Sequence, residues 1–558
     1  MTIEPESEQQ VATRRGGFAI FVAAGIFLSR IAGLVRQSVL AYFLGTSTAM
    51  SAYTAAMRIP NFLQNLLGEG VLSASLIPVY SKLLGQHDEK TAGRVAGTIA
   101  TLLALLTAVL VAVGVLAAPL LVSIITPGYE GELRELTIRI VRIVFPGIGV
   151  LVLSAFCLGI LNSHRSFFIP YVAPVMMSLA VIAALLIFAG GESMDRIAVI
   201  AAWGTVVGAL LQFGVQVPFV LKRGVPMKFG LELALEPVRQ VFRNFGPVVL
   251  GRGVVQVSAF VDEMLASMLK AAPAAIGAIQ YASVLYLLPF SLFGMAVSAS
   301  ELPEMSRATG TQEEIARKLR ERLRAGLRQI AFFVIPSVVA FLTIGDYLIA
   351  AVFQRNEFTS QSTLYVWYIL MGYSVGLLAG TLSRLYSSAF YAMNDTRTPL
   401  KFAVVRVVSA VALGWLLAFP LRPYLVLFFT DVLGLPLFAL AENDAGVALG
   451  AVGLALGSGI VSWIELGLLR RALQKRIGPM PFAAALQAKL WGSALLGAVA
   501  AVAVAKLVVE RRFPALHPIL DPILAALTVA GVFGVVYLVL ATLLNVPEVG
   551  AIRRRFRR

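Results

Sequence analysis

The sequence predicts an all-α polytopic membrane protein of about fourteen transmembrane helices: two six-helix repeats plus two C-terminal helices. Three observations carry that reading. The 558 residues are 58% hydrophobic and 14% charged, with a mean hydropathy of +0.84, where soluble domains hold roughly 45–50% apolar and about 25% charged residues. Apolar runs of about 20 residues, the length that crosses a bilayer core as a helix, recur from Gly17 onward, with no polar stretch long enough for a separate soluble domain. Short motifs also recur in the two halves of the chain.

The expected spans are 17–44, 50–81, 95–125, 136–161, 168–190, 196–221, 240–270, 276–306, 326–354, 361–392, 400–420, 446–472, 484–508 and 518–545. Residues 1–16 read as a disordered cytosolic tail rather than a cleavable signal peptide, because Arg30 interrupts the first apolar run and no small-residue cleavage site ends it. The segment 421–444 is open between an interfacial helix in an outer loop and something deeper.

Basic residues gather at Arg14 and Arg15, Lys82 to Arg94, Lys222 to Lys228, Arg317 to Arg328, Arg470 to Arg476 and the terminal "RRRFRR". These gaps alternate with acidic or neutral ones ("TPGYEGEL", "GGESMD", "ALAENDAG"), the pattern of a multi-pass protein with both termini in the cytosol. Topology therefore explains the net charge of +16, and nucleic acid is not implied as a partner. The single cysteine, Cys157, and three scattered histidines leave no disulfide frame and no metal cluster.

"SASLIPVYSK" (73–82) near the end of the second span matches "SASELPEMSR" (298–307) near the end of the eighth, and "NSHR" (162–165) after the fourth matches "NDTR" (394–397) after the tenth. Each pair is six spans apart, and six is even, so the halves enter from the same side, the parallel-repeat arrangement of several transporters. The division expected is a tail 1–16, an N-terminal lobe 17–230, a C-terminal lobe 231–478, and a remainder 479–558 holding the extra helices and a basic tail.

Charges inside the apolar runs are the candidate site. Arg30 lies about 20 Å along its helix, where burial costs at least ~2.5–3.5 kcal/mol on insertion scales. Arg36, about 9 Å further on, either lines the interior with it or snorkels to the outer interface. Gly25, Ser29, Gly33 and Gln37 recur every fourth residue as a small-residue seam. Arg58, Asn65 and Glu69 share one face of the second span, which Pro60 and the Gly68/Gly70 pair weaken. Glu69 either serves transport or neutralises a nearby arginine. The seventh span carries Arg252, Asp262 and Glu263, the tenth Arg384 and the eleventh Arg406, with Asp262 expected to pair with Arg252 or Arg406. Six arginines against three acids leave an excess of positive charge, which suits an anionic cargo, and the guanidinium fork matches phosphate oxygens.

The stretches "SRIAGLVRQ", "AYTAAMRIPNFLQNLLGEGVLSASLIP", "FGPVVLGRGVVQVS" and "AFYAMNDTRTP" resemble the MurJ (MviN) family of lipid II flippases, within the multidrug/oligosaccharidyl-lipid/polysaccharide exporter superfamily. The resemblance spans nearly the whole chain. It implies two six-helix lobes in a V around a cationic cavity, an apolar groove at the extra helices for a lipid tail, and transfer of the undecaprenyl-diphosphate-linked peptidoglycan precursor to the outer leaflet of the bacterial inner membrane. Matched by motif, Arg30, Arg36 and Glu69 are cavity residues. The chain departs from the family at Gln37 and Ser51, where an acid is usual, and at Gln64 and Val284, where an arginine is usual.

Residues and resemblance together assign Arg30, Arg36, Arg58, Asn61, Glu69, Arg252 and Arg384 to substrate binding, and Asp262, Glu263 and Arg406 to an ion or ion-pair site. Arg252, in a "GRG", either supplies the positive charge missing at Val284 or is a static partner of Asp262 or Glu263. No cofactor and no Walker motif is expected. The drive is then the membrane potential, worth ~2.3 kcal/mol per charge per 100 mV, or a coupling monovalent cation at Asp262. The expected partners are the lipid-linked precursor, membrane lipids and cell-wall synthesis proteins. A cation-coupled drug exporter would show uncompensated acids, and a membrane glycosyltransferase or acyltransferase would need clustered His or Asp at a membrane face. A scaffold would leave the costly arginines without a use.

Overall fold

A computed structural model describes residues 8–67, 69–223, 225–269, 274–306, 311–393, 395–432, 434, 445–479, 484–509 and 520–550. Among them there is helix and no strand. The chain divides into two compact units, 1–264 and 265–558.

The first unit holds α1 (Glu8–Leu44), α2 (Thr48–Leu67), α3 (Glu69–Gly85), α4 (Glu89–Leu116), α5 (Ala118–Ile125), α6 (Gly131–Ser163), α7 (Phe168–Val172), α8 (Pro174–Phe188), α9 (Met194–Arg223) and most of α10 (Glu236–Ser267). In the second unit lie α11 (Ala275–Pro289), α12 (Ala296–Ser306), α13 (Gln312–Thr343), α14 (Gly345–Phe353), α15 (Ser360–Ala392), α16 (Arg397–Ala418), α17 (Arg422–Leu427), α18 (Ala445–Ile477), α19 (Ala484–Val504) and α20 (Leu520–Leu543). Single π-helical turns at 290–295, 428–432 and 505–509 extend α11, α17 and α19.

Twelve helices among the described residues are long and apolar enough to cross a membrane. The two expected spans that fall outside this set, 50–81 and 240–270, are helical as α2 with α3 and as α10. They are also the spans that carry Arg58 with Glu69, and Arg252 with Asp262 and Glu263, so their charge lowers their hydropathy.

α6 and α15 are each 33 residues long, are the central helices of their units, and end at "NSHR" and "NDTR" respectively. α6 packs on α2, α4 and α9, and α15 packs on α11, α13 and α18. The motif repeat therefore marks a repeat of position. At Gly376 of α15 an added Cβ would lie 2.5 Å from Gly459 of α18, so these backbones touch as glycine alone allows.

Alternate connections meet within each unit. Tyr80 Oη lies 3.1 Å from His164 Nε2, Arg94 Nε donates to Glu232 at 2.8 Å, and Lys228 N donates to Gly93 O at 3.2 Å. In the second unit Arg476 pairs with Asp395, and Arg320 donates to the carbonyl of Ile477. Thr398 and Arg476 hold the Asp395 carboxyl down at about 2. These are the basic connections that charge patterning places on one side.

The described residues bear on three expectations. Among them α1 already runs from Glu8, within the expected tail 1–16, because "EQQVATRR" is rich in strong helix formers. The contact boundary at 264/265 falls within α10, whose Phe260 ring lies 4.9 Å from that of Phe62 on α2, one helix beyond the expected lobe boundary at 230/231. The open segment 421–444 begins with α17 and a π turn, and 433 and 435–444 lie outside the described residues.

Candidate substrate-handling site

α1 is anchored where Gly25 meets Tyr171: an added Cβ there would sit 2.8 Å from the Tyr171 Cβ. The small-residue seam makes a close contact at Gly25, whereas Gly33 has nothing within 4 Å of its Cβ position among the described residues. Arg30 is exposed and makes no ion pair among the described residues. Arg36 is half-buried, its Nε covered and without a hydrogen-bond partner among them, and the neighbouring Gln37 is buried.

The clearest charge contact lies on α2. Arg58, ten residues into that helix, donates to the carboxylate of Glu263 on α10. The Glu263 side chain is 1% exposed and that of Arg58 32%, so the acid is sealed while the base reaches solvent. Phe62 on α2 and Phe260 on α10, each about one turn away, pack edge-on beside the pair. Asn61, on the same face as Arg58, is exposed. Glu69 opens α3, but its side chain lies outside the described residues, as do those of Arg252 and Asp262 on α10. The recorded bond of Glu263 is to Arg58, a helix–helix contact that spacing along one helix does not reveal.

In the second unit Arg384 on α15 places its guanidinium 4.7 Å from the Phe290 ring centroid. Tyr286 and Tyr373 extend this aromatic platform, with ring centroids 5.4 Å apart. Arg406 on α16 lies 3.4 Å from Glu465 on α18, whose side chain is 9% exposed. Glu465 is thus a recorded partner of Arg406. Sequence reasoning missed Glu465, although an acid inside the apolar run "GSGIVSWIELGLL" was the signal that could have found it. Adding it makes four acids against six arginines, and the positive excess survives.

Buried polar groups elsewhere fasten helices together. Gln216 Nε2 on α9 donates to Ser154 Oγ on α6 at 2.6 Å, and Tyr53 Oη on α2 lies 2.9 Å from Thr205 on α9. Cys157 is free and buried, and no cluster of metal-ligating side chains occurs among the described residues.

Repeated helical units and intramembrane arginines in excess over acids define a polytopic transporter rather than an enzyme. A family model described as "Lipid II flippase MurJ" matches residues 40–435, and the chain belongs to that family. A probable lipid II flippase MurJ of Rhizobium tropici is 29% identical over 556 residues, covering 97% of this chain and 96% of the relative. The lipid II flippase MurJ of Burkholderia cenocepacia is 29% identical over 393 residues, 69% and 75% of the two chains. Among solved structures, a lipid II flippase MurJ in an inward closed conformation superposes with a TM-score of 0.72 at 22% identity, covering 97% of this chain and all of that one. An inward-facing MATE transporter of the MOP superfamily follows the same fold, at a TM-score of 0.61 and 18% identity over 82% and 99% of the chains.

Proposed function

We propose that this chain carries lipid II, an undecaprenyl-diphosphate-linked peptidoglycan precursor, from the inner to the outer leaflet of the bacterial cytoplasmic membrane by alternating access. Family membership supports the cargo, and the observation that carries the chemistry is the excess of intramembrane arginine over acid. Arg30 and Arg58, with Arg36, Arg252 and Arg384, bind the diphosphate, whose oxygens accept the planar guanidinium fork. Asn61, exposed beside Arg58, adds a neutral donor.

Glu263 shares the holding role expected of Glu69. An arriving diphosphate competes with the buried carboxylate for Arg58, and once the cargo departs the ion pair re-forms. Arg406 and Glu465 are a structural pair that positions α16 on α18. Outward movement of an anion is driven by the membrane potential, at ~2.3 kcal/mol per charge per 100 mV, with a cation at Asp262 as the alternative drive. Cell-wall synthesis proteins downstream receive the product.

Depletion of a host flippase with complementation by this chain tests the reading, with periplasmic accessibility of lipid II as the readout. Growth without restored accessibility would reject lipid II as the cargo. The proposed orientation puts both termini in the cytosol. Reporters fused after residues 90, 165, 230, 315, 397, 478 and at the C-terminus are expected to signal cytosol, because the basic connections lie there. A periplasmic signal at 315 would break the parallel-repeat topology.

A further inference from the structure

α19 rests on α13, and beside that contact a cavity of about 780 Å³ opens between α13, α15, α18 and α19. α20 lines none of it, so it is not a groove between the two C-terminal helices. Its walls change character along their length. Arg470 lies about two turns before the end of α18, and Gln487 and Trp491 lie within the first two turns or so of α19. Arg324 and Arg328 join this rim from α13. Further along α15 and α18 the lining becomes Leu378, Leu382, Trp463 and Leu466. The Trp463 indole N–H is already given to the carbonyl of Val375 at 2.8 Å, which leaves the ring as apolar wall.

The rim is cationic. Arg324 is exposed and in no ion pair among the described residues, and Arg328 shares its charge with Glu548 at 2.7 Å. Arg470 brings a third guanidinium group to the rim. The neighbouring surface is apolar: Ile464 is 46% exposed, and Leu495 and Leu496 more than half. A site with a cationic end, an apolar body and exposed apolar residues beside it fits an amphiphile with a phosphate head. Anionic phospholipids populate the cytosolic leaflet, where the basic connections place this rim.

We propose that the cavity binds an anionic phospholipid of the inner leaflet, its phosphate held by Arg324, Arg328 and Arg470 and its acyl chains laid along Leu378, Leu382 and Leu466. The lipid fills the space that direct packing leaves between α19 and the α15–α18 pair, and so fastens the C-terminal helices to the second unit. The site uses none of the residues assigned to cargo, so it stands or falls separately from the flippase reading.

Native mass spectrometry of the full-length protein, titrated with phosphatidylglycerol, phosphatidylcholine or undecaprenyl diphosphate, tests the proposal. The parent is expected to retain phosphatidylglycerol and not phosphatidylcholine of the same chains. Arg324→Gln with Arg470→Gln is expected to weaken that binding about tenfold or more, given the roughly fivefold that each basic residue contributes at an anionic surface. Arg317→Gln, exposed on α13 outside the cavity, should not. Leu382→Trp fills the apolar half while keeping every arginine, and is also expected to abolish binding. Thermal midpoints without lipid establish that each variant is folded, and the rise on adding phosphatidylglycerol should be lost in both cavity variants. Equal binding by parent and Leu382→Trp, or an arginine double variant no weaker than Arg317→Gln, would overturn the site. So would displacement of phosphatidylglycerol by undecaprenyl diphosphate in the parent alone, which would make the cavity part of the cargo path.

Discussion

Replacing Arg30 with alanine is expected to abolish flipping while leaving insertion and abundance at the parent level. α1 is held to its unit by the Gly25–Tyr171 contact rather than by this side chain, and Arg30 itself is exposed with no ion pair among the described residues. Its removal therefore takes away a ligand and not a packing element. Hydrogen bonds to charged groups contribute about 1.5–3 kcal/mol each. Losing a bidentate pair lowers diphosphate occupancy by more than about a hundredfold at RT ≈ 0.59 kcal/mol. Lysine is expected to recover little, since an ammonium is a point charge and cannot reproduce the planar fork. Depletion and complementation at matched expression decides the matter: wild-type growth with Arg30→Ala would remove Arg30 from the cargo site.

Most helices were legible because an apolar stretch of about 20 residues has few alternatives. The central helices α6 and α15 could even be paired through their "NSHR" and "NDTR" ends. Individual interior charges were legible for the same reason: Arg30, Arg58, Glu263 and Arg406 each stand out against apolar neighbours. Their partners were not. The Arg58–Glu263 bond joins residues 205 positions apart, and Arg406 meets Glu465 across a neighbouring helix. Periodicity reports which residues share a face of one helix, but says nothing of which helix that face meets. That is why spacing alone could not join Arg58 to Glu263. The start of α1 was misplaced for a different reason. Polarity marks where a helix leaves the apolar phase, whereas helix formers such as Glu, Gln and Ala extend it beyond that point.

The unequal exposure of the two partners makes the Arg58–Glu263 pair respond asymmetrically to substitution. Arg58→Met takes a cation away from a carboxylate whose side chain is 1% exposed. Breaking a buried pair by removing one partner costs about 3–5 kcal/mol. Glu263→Gln leaves an arginine 32% exposed, which turns toward solvent and recovers much of its hydration, so the loss of stability should be clearly smaller. Thermal midpoints of the purified variants are expected in the order parent, Glu263→Gln, Arg58→Met. Transport separates the roles further. If Glu263 competes with the diphosphate for Arg58, Glu263→Gln binds cargo more tightly than the parent yet flips it more slowly, because nothing displaces the product, whereas Arg58→Met loses binding as well. The charge-swapped double variant, Arg58→Glu with Glu263→Arg, should regain part of the lost stability but no transport, since the arginine would then occupy the sealed position. Equal destabilisation by the two single variants, or flipping restored by the swap, would show that the pair is only a static brace between α2 and α10.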